Sequence, residues 1–170
     1  MPQTFHGIPT MFEGVQYRSR LEARWACIFR IMKWRFAYEE LDLPGWIPDF
    51  TLKGKKDILV EVKPISAFDS NTASKCLRAA RDGGLGDLEI LLLGQELKEC
   101  GAYMQGRFAV RIGWLYVQES SSWMDAFLCL EGGFFPAEAR YAVTRVGEGA
   151  TPPMNGMDGM LNLPTTGDAA

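Results

Sequence analysis

The chain has 170 residues, of which 47% are apolar, and a formal net charge of −3, so it is long and apolar enough for one globular domain. Its charge excludes the strongly basic class of nucleic-acid-binding domains, although the first 64 residues hold a small excess of Lys and Arg over Asp and Glu. Four widely separated cysteines and a single histidine, His6, argue against a zinc site, and we interpret His6 as a loop residue rather than a catalytic one.

The sequence carries no pattern that predicts export or membrane insertion. Its N-terminus lacks a basic region followed by an apolar run, and no apolar run approaches the ~20 residues that span a bilayer. We therefore expect a cytoplasmic protein with reduced thiols and no membrane partner. We expect residues 1–146 to form one domain and residues 147–170, which are rich in Gly, Pro and Thr, to form a disordered tail.

The first predicted elements are a strand or hairpin arm over residues 11–17 and an amphipathic helix that opens at Ser19. Apolar residues recur in this helix at a spacing of 3.6 residues. Ser19 and Glu22 have the spacing of a capping box, in which the glutamate returns to the helix N-terminus. Glu22 also lies at the edge of the apolar stripe, where its carboxylate can turn toward the sheet. Both roles stay open, and they are compatible.

Three strands are predicted next, over residues 34–38, 47–52 and 57–63, and a polar loop at 53–56 joins the last two as a hairpin. In the third strand Glu61 and Lys63 share one face, because side chains alternate along a strand. Charges on a largely apolar strand are costly unless they pair or hold a metal. An exposed ion pair between Glu61 and Lys63 is one interpretation. Asp49, at the start of the neighbouring strand, favours a metal site.

A second helix is predicted within residues 66–82, beginning near residues 69–72 and stopped by Gly83 and Gly84. Lys75 and Arg78 share its polar side, which is either a solvated face or a phosphate contact close to the site. Further strands are predicted over residues 88–93, 108–116 and 141–146. After the three serines at 120–122 we expect a short helix that carries Trp123, Phe127 and Leu130.

A helix with Glu22, a hairpin with Pro48-Asp49, the sequence Glu61-Val62-Lys63 and a second helix with basic residues follow one another in this chain. This order resembles the PD-(D/E)XK nuclease superfamily, and residues 18–25 are similar to small members from phages and mobile elements. The resemblance covers residues 15–93. It implies an α/β fold with a restriction-endonuclease-like core, α-β-β-β-α-β, in which helices flank a central mixed sheet.

The resemblance also implies roles for single residues. Asp49 and Glu61 would bind Mg²⁺ together with the backbone carbonyl of Val62, and Glu22 would add a further carboxylate. Lys63 would orient or help to deprotonate the attacking water. The helix residue that assists the site, by contacting nucleic acid, is either Lys75 or Arg78. Mg²⁺ prefers hard oxygen ligands, and Mn²⁺ is a possible substitute.

The function implied is that of a Mg²⁺-dependent DNA endonuclease that processes phage or mobile-element DNA in the cytoplasm of a bacterial host. A homodimer would let one site per chain cut both strands. Two alternatives stay open: a non-catalytic DNA- or protein-binding module on the same fold, and a structural domain in which Glu61 pairs with Lys63 while Glu22 is only a cap. The half of the chain after Leu93 carries no motif that we can assign.

Overall fold

A computed structural model describes residues 7–54, 56–86, 89–104, 107–118, 120–130 and 139–145, and in these ranges it is an α/β protein with two helices. The elements in chain order are β1 (Thr10–Phe12), β2 (Val15–Tyr17), α1 (Arg20–Ile31), β3 (Phe36–Tyr38), β4 (Phe50–Leu52), β5 (Ile58–Val62), α2 (Ser70–Asp82), β6 (Glu89–Met104), β7 (Arg107–Val117), β8 (Ser122–Leu130) and β9 (Ala139–Arg145). The predicted tail at residues 147–170 lies outside the described residues.

Strands β3 to β9 form one mixed sheet, and their order across the sheet is their order in the chain. All neighbours are antiparallel except β5 and β6, which are parallel because α2 crosses between them. Strands β1 and β2 form a separate hairpin around Gly14, whose positive φ of 79° suits a tight turn. No helix among the described residues is long and apolar enough to cross a membrane.

The sheet is covered on both faces, so β5 is buried along its whole length. Its alternate residues Ile58, Val60 and Val62 pack in the core cluster that contains α1. Leu59 packs on the opposite face, in the cluster that contains α2. This alternation agrees with the prediction from the sequence. It assigns Glu61 and Lys63 to the α2 face of the strand.

Helix α1 begins where the sequence predicts. The Ser19 hydroxyl accepts a hydrogen bond from the Glu22 backbone N–H at 3.1 Å and donates one to Glu22 Oε1 at 2.7 Å. Trp25 and Phe29 on the inner side of the helix are buried, and the Trp25 indole N–H donates to the Gly94 carbonyl of β6 at 3.0 Å. These contacts fix the N-terminus of α1 against the sheet, which positions Glu22.

The helix predicted after Ser120 is wrong, because residues 122–130 form β8 and pair with β7. Trp123 and Phe127 are four residues apart, so they lie on one side of a helix and also on one face of a strand. The spacing alone could not separate the two. Pairing with β7, where Trp123 faces Tyr116, decides the structure.

Strand β4 is shorter at its start than the predicted span of 47–52, since pairing begins only at Phe50. Pro48 has no N–H to give to a ladder, so the preceding residues do not continue it. Asp49 therefore lies in the turn directly before β4. Strand β6 is longer than predicted and continues to Met104, with a break in register between Leu93 and Lys98.

Candidate functional site

A pocket of about 390 Å³ opens at the edge of the sheet where β5 ends and β4 begins. The charged residues that line it come from the start of α1, the β3–β4 connection, β5 and α2: they are Arg18, Asp42, Asp49, Glu61, Lys63 and Lys75. The carboxylates of Asp49 and Glu61 are buried, whereas Arg18 and Lys75 are exposed. Two carboxylates are therefore buried in the pocket, and the exposed groups of its rim are two cations, Arg18 and Lys75, and one acid, Asp42.

Asp49 is a buried carboxyl with a strongly displaced pKa. Its Oδ2 accepts the backbone N–H of Val62 at 2.7 Å. Burial, and then the nearby negative charge of Glu61, raise the pKa of Asp49 to about 8. This carboxyl is therefore mostly protonated at neutral pH, although the nearby charge of Lys63 acts in the opposite direction. Strongly displaced pKa values of this kind cluster at functional sites.

The backbone carbonyl of Val62 points into the same region. Lys63 donates its backbone N–H to the Leu93 carbonyl of β6 at 3.0 Å, so alternation directs the N–H and C=O of Val62 toward β4. Extending the β4–β5 register by two residues brings Pro48 opposite Val62. Proline has no N–H, so it cannot bond the Val62 carbonyl as a ladder partner would. That oxygen is the backbone ligand predicted from the resemblance.

Glu61 is held from two sides. Its Oε2 accepts the indole N–H of Trp46 at 2.6 Å, and its Oε1 lies 2.6 Å from Lys63 Nζ. Burial lowers the pKa of Lys63, but the charge and hydrogen bond of Glu61 outweigh it, so the pKa of Lys63 is raised. The ion pair considered from the sequence does exist, but its carboxylate is buried and it is not an exposed surface pair.

Glu22 binds at the start of α1, where its side chain accepts the Arg18 N–H rather than that of Ser19, and it also reaches Tyr38 of the sheet. Besides its bonds with Ser19, its Oε2 accepts the Tyr38 hydroxyl at 2.7 Å and the Arg18 backbone N–H at 3.2 Å. Single carboxylate oxygens of Glu22, Glu39 and Asp49 all lie within 4.8 Å of one another. The helix cap therefore also contributes to an acidic cluster that meets the pocket at Asp49.

Glu39 is the acid that the sequence interpretation missed. It follows β3 with a positive φ of 46°, and its N–H donates to the Asp49 carbonyl at 3.0 Å. Arg18 Nε lies 2.6 Å from Glu39 Oε1. The order of the strands could have indicated Glu39. Because β3 is antiparallel to β4, the end of β3 lies beside the start of β4 and the preceding Asp49.

The structure does not group every predicted site residue in one cluster. Lys75 lines the pocket, whereas Arg78, one turn further along α2, does not. Glu61 also lies outside the cluster of Glu22, Glu39 and Asp49, although its charge acts on Asp49. Asp49 therefore links the two parts of the site, since it belongs to the cluster with Glu22 and Glu39 and also interacts with Glu61.

The donor set fits a hard divalent cation. Single carboxylate oxygens of Glu22, Glu39 and Asp49 lie close together, whereas both oxygens of Glu61 are engaged by Trp46 and Lys63. Oxygen ligands of this kind suit Mg²⁺ or Mn²⁺, whereas Zn²⁺ favours sulfur and nitrogen ligands. Burial, and then the charge of Glu61, raise the pKa of Asp49, and a bound cation would lower it.

Comparisons of the chain with models of protein families, with curated proteins and with solved structures find no match. The function of the site therefore rests on its own geometry and charge. Three features define it: the buried acids, the lysine beside them and the exposed cations at the rim of the pocket.

Replacing Trp46 by Phe tests the support of Glu61. Phe retains most of the ring packing but lacks the N–H that orients Glu61 Oε2. Groups that orient metal ligands are worth about 10–100-fold in metal affinity. We expect calorimetric titration with Mg²⁺ to show a loss of about 10-fold. Trp123→Phe, a change on β8 outside the pocket lining, is the control, and equal affinities in both variants would contradict the expectation.

Proposed function

We propose that the chain is a Mg²⁺-dependent DNA endonuclease of the PD-(D/E)XK type, which hydrolyses phosphodiester bonds. The observation that carries the proposal is that Asp49 and Glu61, both buried, line one pocket with Lys63. The order α1-β3-β4-β5-α2-β6, with β5 and β6 parallel, supports a restriction-endonuclease-like core. One fold serves many functions, so the proposal rests on the chemistry of the site more than on the fold.

The cation would be held by Asp49, Glu61, Glu22 and the Val62 carbonyl. Glu39 is near enough to Asp49 and Glu22 to assist. When bound, Mg²⁺ stabilises negative charge on the phosphate and lowers the pKa of a bound water. The acids lie at the floor of the pocket, so a phosphate would meet the cation only after entering between the residues of the rim.

Lys63 acts in this proposal as a charged hydrogen-bond donor. Lys63 Nζ lies 2.6 Å from Glu61 Oε1, and the Lys63 side chain is 42% exposed. Because its pKa is raised, the amine stays protonated at neutral pH in the absence of a cation. Of the two roles that the resemblance implies for Lys63, orientation of the attacking water is favoured over its deprotonation. A charged amine would also stabilise negative charge that develops on the phosphate.

The test is a titration of cleavage with Mg²⁺ and Mn²⁺ on single-stranded, duplex and branched DNA and on a closed circle. We expect cleavage that requires the cation and is abolished by EDTA. A closed circle has no ends, so its nicking requires an endonuclease. Measurement of the mass in solution tests the predicted homodimer.

Two results would replace this proposal. Binding of DNA without cleavage on any substrate would support the non-catalytic module, for which the acidic floor of the pocket has no evident use. Absence of both binding and cleavage, with no heat of Mg²⁺ binding, would favour the structural domain.

A further inference from the structure

We infer that Arg18 is a substrate-binding residue that holds a phosphate of the DNA strand at the rim of the pocket, across from the acids. This inference rests on the proposed function and adds to it a contact from the segment before α1. Neither the motif order nor the resemblance assigns a role to this arginine.

Arg18 is fixed in place although its side chain is 59% exposed. Its backbone N–H donates to the Tyr38 hydroxyl at 2.9 Å and to Glu22 Oε2 at 3.2 Å. Its Nε lies 2.6 Å from Glu39 Oε1, an ion pair without hydrogen-bond geometry. The backbone of Arg18 is therefore fixed by Tyr38 and Glu22, and its side chain is paired with Glu39, which lowers the entropy cost of binding a ligand.

The ion pair with Glu39 is made through Nε. The planar guanidinium carries further N–H groups on its two Nη atoms, and their geometry matches two oxygens of one phosphate. An arginine that is paired through Nε can therefore still bind a second anion. A lysine at this position would offer a point charge without that geometry.

The surroundings favour an anion that bridges the rim. Arg18 precedes α1, Lys63 follows β5 and Lys75 lies on α2, so three cations from three elements converge on one pocket. Two of the three acids that line the pocket, Asp49 and Glu61, are buried, and the third, Asp42, is exposed. A polyanion whose scissile phosphate is at the floor would bring neighbouring phosphates to this rim.

The competing interpretation is that Arg18 only neutralises Glu39. The chain offers a matched control for it, since Arg30 pairs with Glu13 through Nε at 2.8 Å and is also 59% exposed, but lies outside the pocket lining. If pairing were the whole role, loss of either arginine would have the same small effect, as surface pairs contribute about 0–1 kcal/mol.

The test measures binding of a fluorescent duplex of about 20 base pairs by anisotropy, in Mg²⁺ and over a salt series, with the full chain carrying Lys63→Met to prevent cleavage. Adding Arg18→Ala is expected to weaken binding about 10-fold and to lower the slope of log K against log salt by about 0.9. Adding Arg18→Lys should keep the slope and lose part of the affinity. Adding Arg30→Ala should change neither quantity, and thermal unfolding monitors the fold of each variant.

The outcomes separate this inference from the proposed function. If the Lys63→Met chain binds DNA and Arg18→Ala binds it equally well, Arg18 is only a partner of Glu39 and the inference is wrong. If neither the Lys63→Met chain nor the unaltered chain binds DNA, both fail. If Arg18→Ala lowers the thermal midpoint, the better-folded Arg18→Lys decides, and an affinity equal to that of Arg30→Ala would also overturn the inference.

Discussion

Replacing Lys63 by Met is expected to lower the rate of DNA cleavage by about 10²–10⁴-fold, the range typical of a positioned proton-transfer or charge-stabilising group. Met keeps the length of the stem but removes the ammonium that Glu61 Oε1 holds at 2.6 Å. The Lys63 side chain is 42% exposed, so its loss opens no cavity and the fold should persist. Single-turnover cleavage in saturating Mg²⁺ measures the effect on the chemical step.

A matched lysine controls for the loss of one positive charge. Lys53 also forms ion pairs, with Glu40 and Asp57 at the β4–β5 hairpin, and it lies outside the pocket lining. Lys53→Met should cleave within about 2-fold of the unaltered chain, since such exposed pairs are worth little. Full activity in Lys63→Met would show that Lys63 only neutralises Glu61.

Replacing Asp49 by Asn is expected to have two opposite effects, a more stable protein without metal and a loss of the response to Mg²⁺. Asn keeps an oxygen that can accept the Val62 N–H, which Asp49 now accepts at 2.7 Å. It removes a carboxyl that is buried beside Glu61 and loses a cation ligand. At pH 8 we expect the free energy of unfolding of the Asp49→Asn variant to exceed that of the unaltered chain by about 1–2 kcal/mol. This is roughly 3–8 °C in Tm for a chain of this length.

The sign of the pH dependence follows from the raised pKa of Asp49. Its pKa is about 8 in the folded protein, and about 3.9 is expected in the unfolded chain. Between these values the folded state holds a proton that the unfolded state has released. The stability from this proton is fully present below the unfolded pKa and is lost as the pH rises through 8. The stability advantage of the Asp49→Asn variant over the unaltered chain therefore grows from pH 5 to pH 8.

Cation binding should show the reverse dependence in the unaltered chain. A cation needs the ionised carboxylate, so its binding releases the proton of Asp49 and strengthens by up to about 10-fold per pH unit below 8. Thermal unfolding at pH 6 and pH 8, in EDTA and in Mg²⁺, measures both effects. Asp42→Asn, an exposed acid of the same pocket, is the control. An Asp49→Asn protein that is less stable at pH 8 and still stabilised by Mg²⁺ would contradict the assignment.

The parts of the fold that the sequence predicted are those with an unambiguous period or a strong local signal. Ser19 and Glu22 mark the start of α1, and the paired glycines after residue 82 mark the end of α2. The alternation in β5 predicted which residues face each core cluster. Local chemistry decides these features, so the sequence alone carries them.

The features that were missed depend on contacts between distant segments. Trp123 and Phe127 fit either period, and only pairing with β7 makes their segment a strand. Glu39 has no local signal in the sequence, because its approach to Asp49 follows from the pairing of β3 with β4. The bond between Trp46 and Glu61 links residues 15 apart in sequence and has no local signature.

The order of strands across the sheet bears on how the protein is made. Every strand from β4 to β9 pairs with the one that precedes it, so each can join the sheet in the order of its synthesis. The residues of the pocket all lie between Arg18 and Lys75, and the parallel partner of β5 follows soon afterwards. The chain emerging from the ribosome therefore carries every residue of the site before it carries β7 and β8. Those later strands then complete the two core clusters that hold α1 and α2 against the sheet.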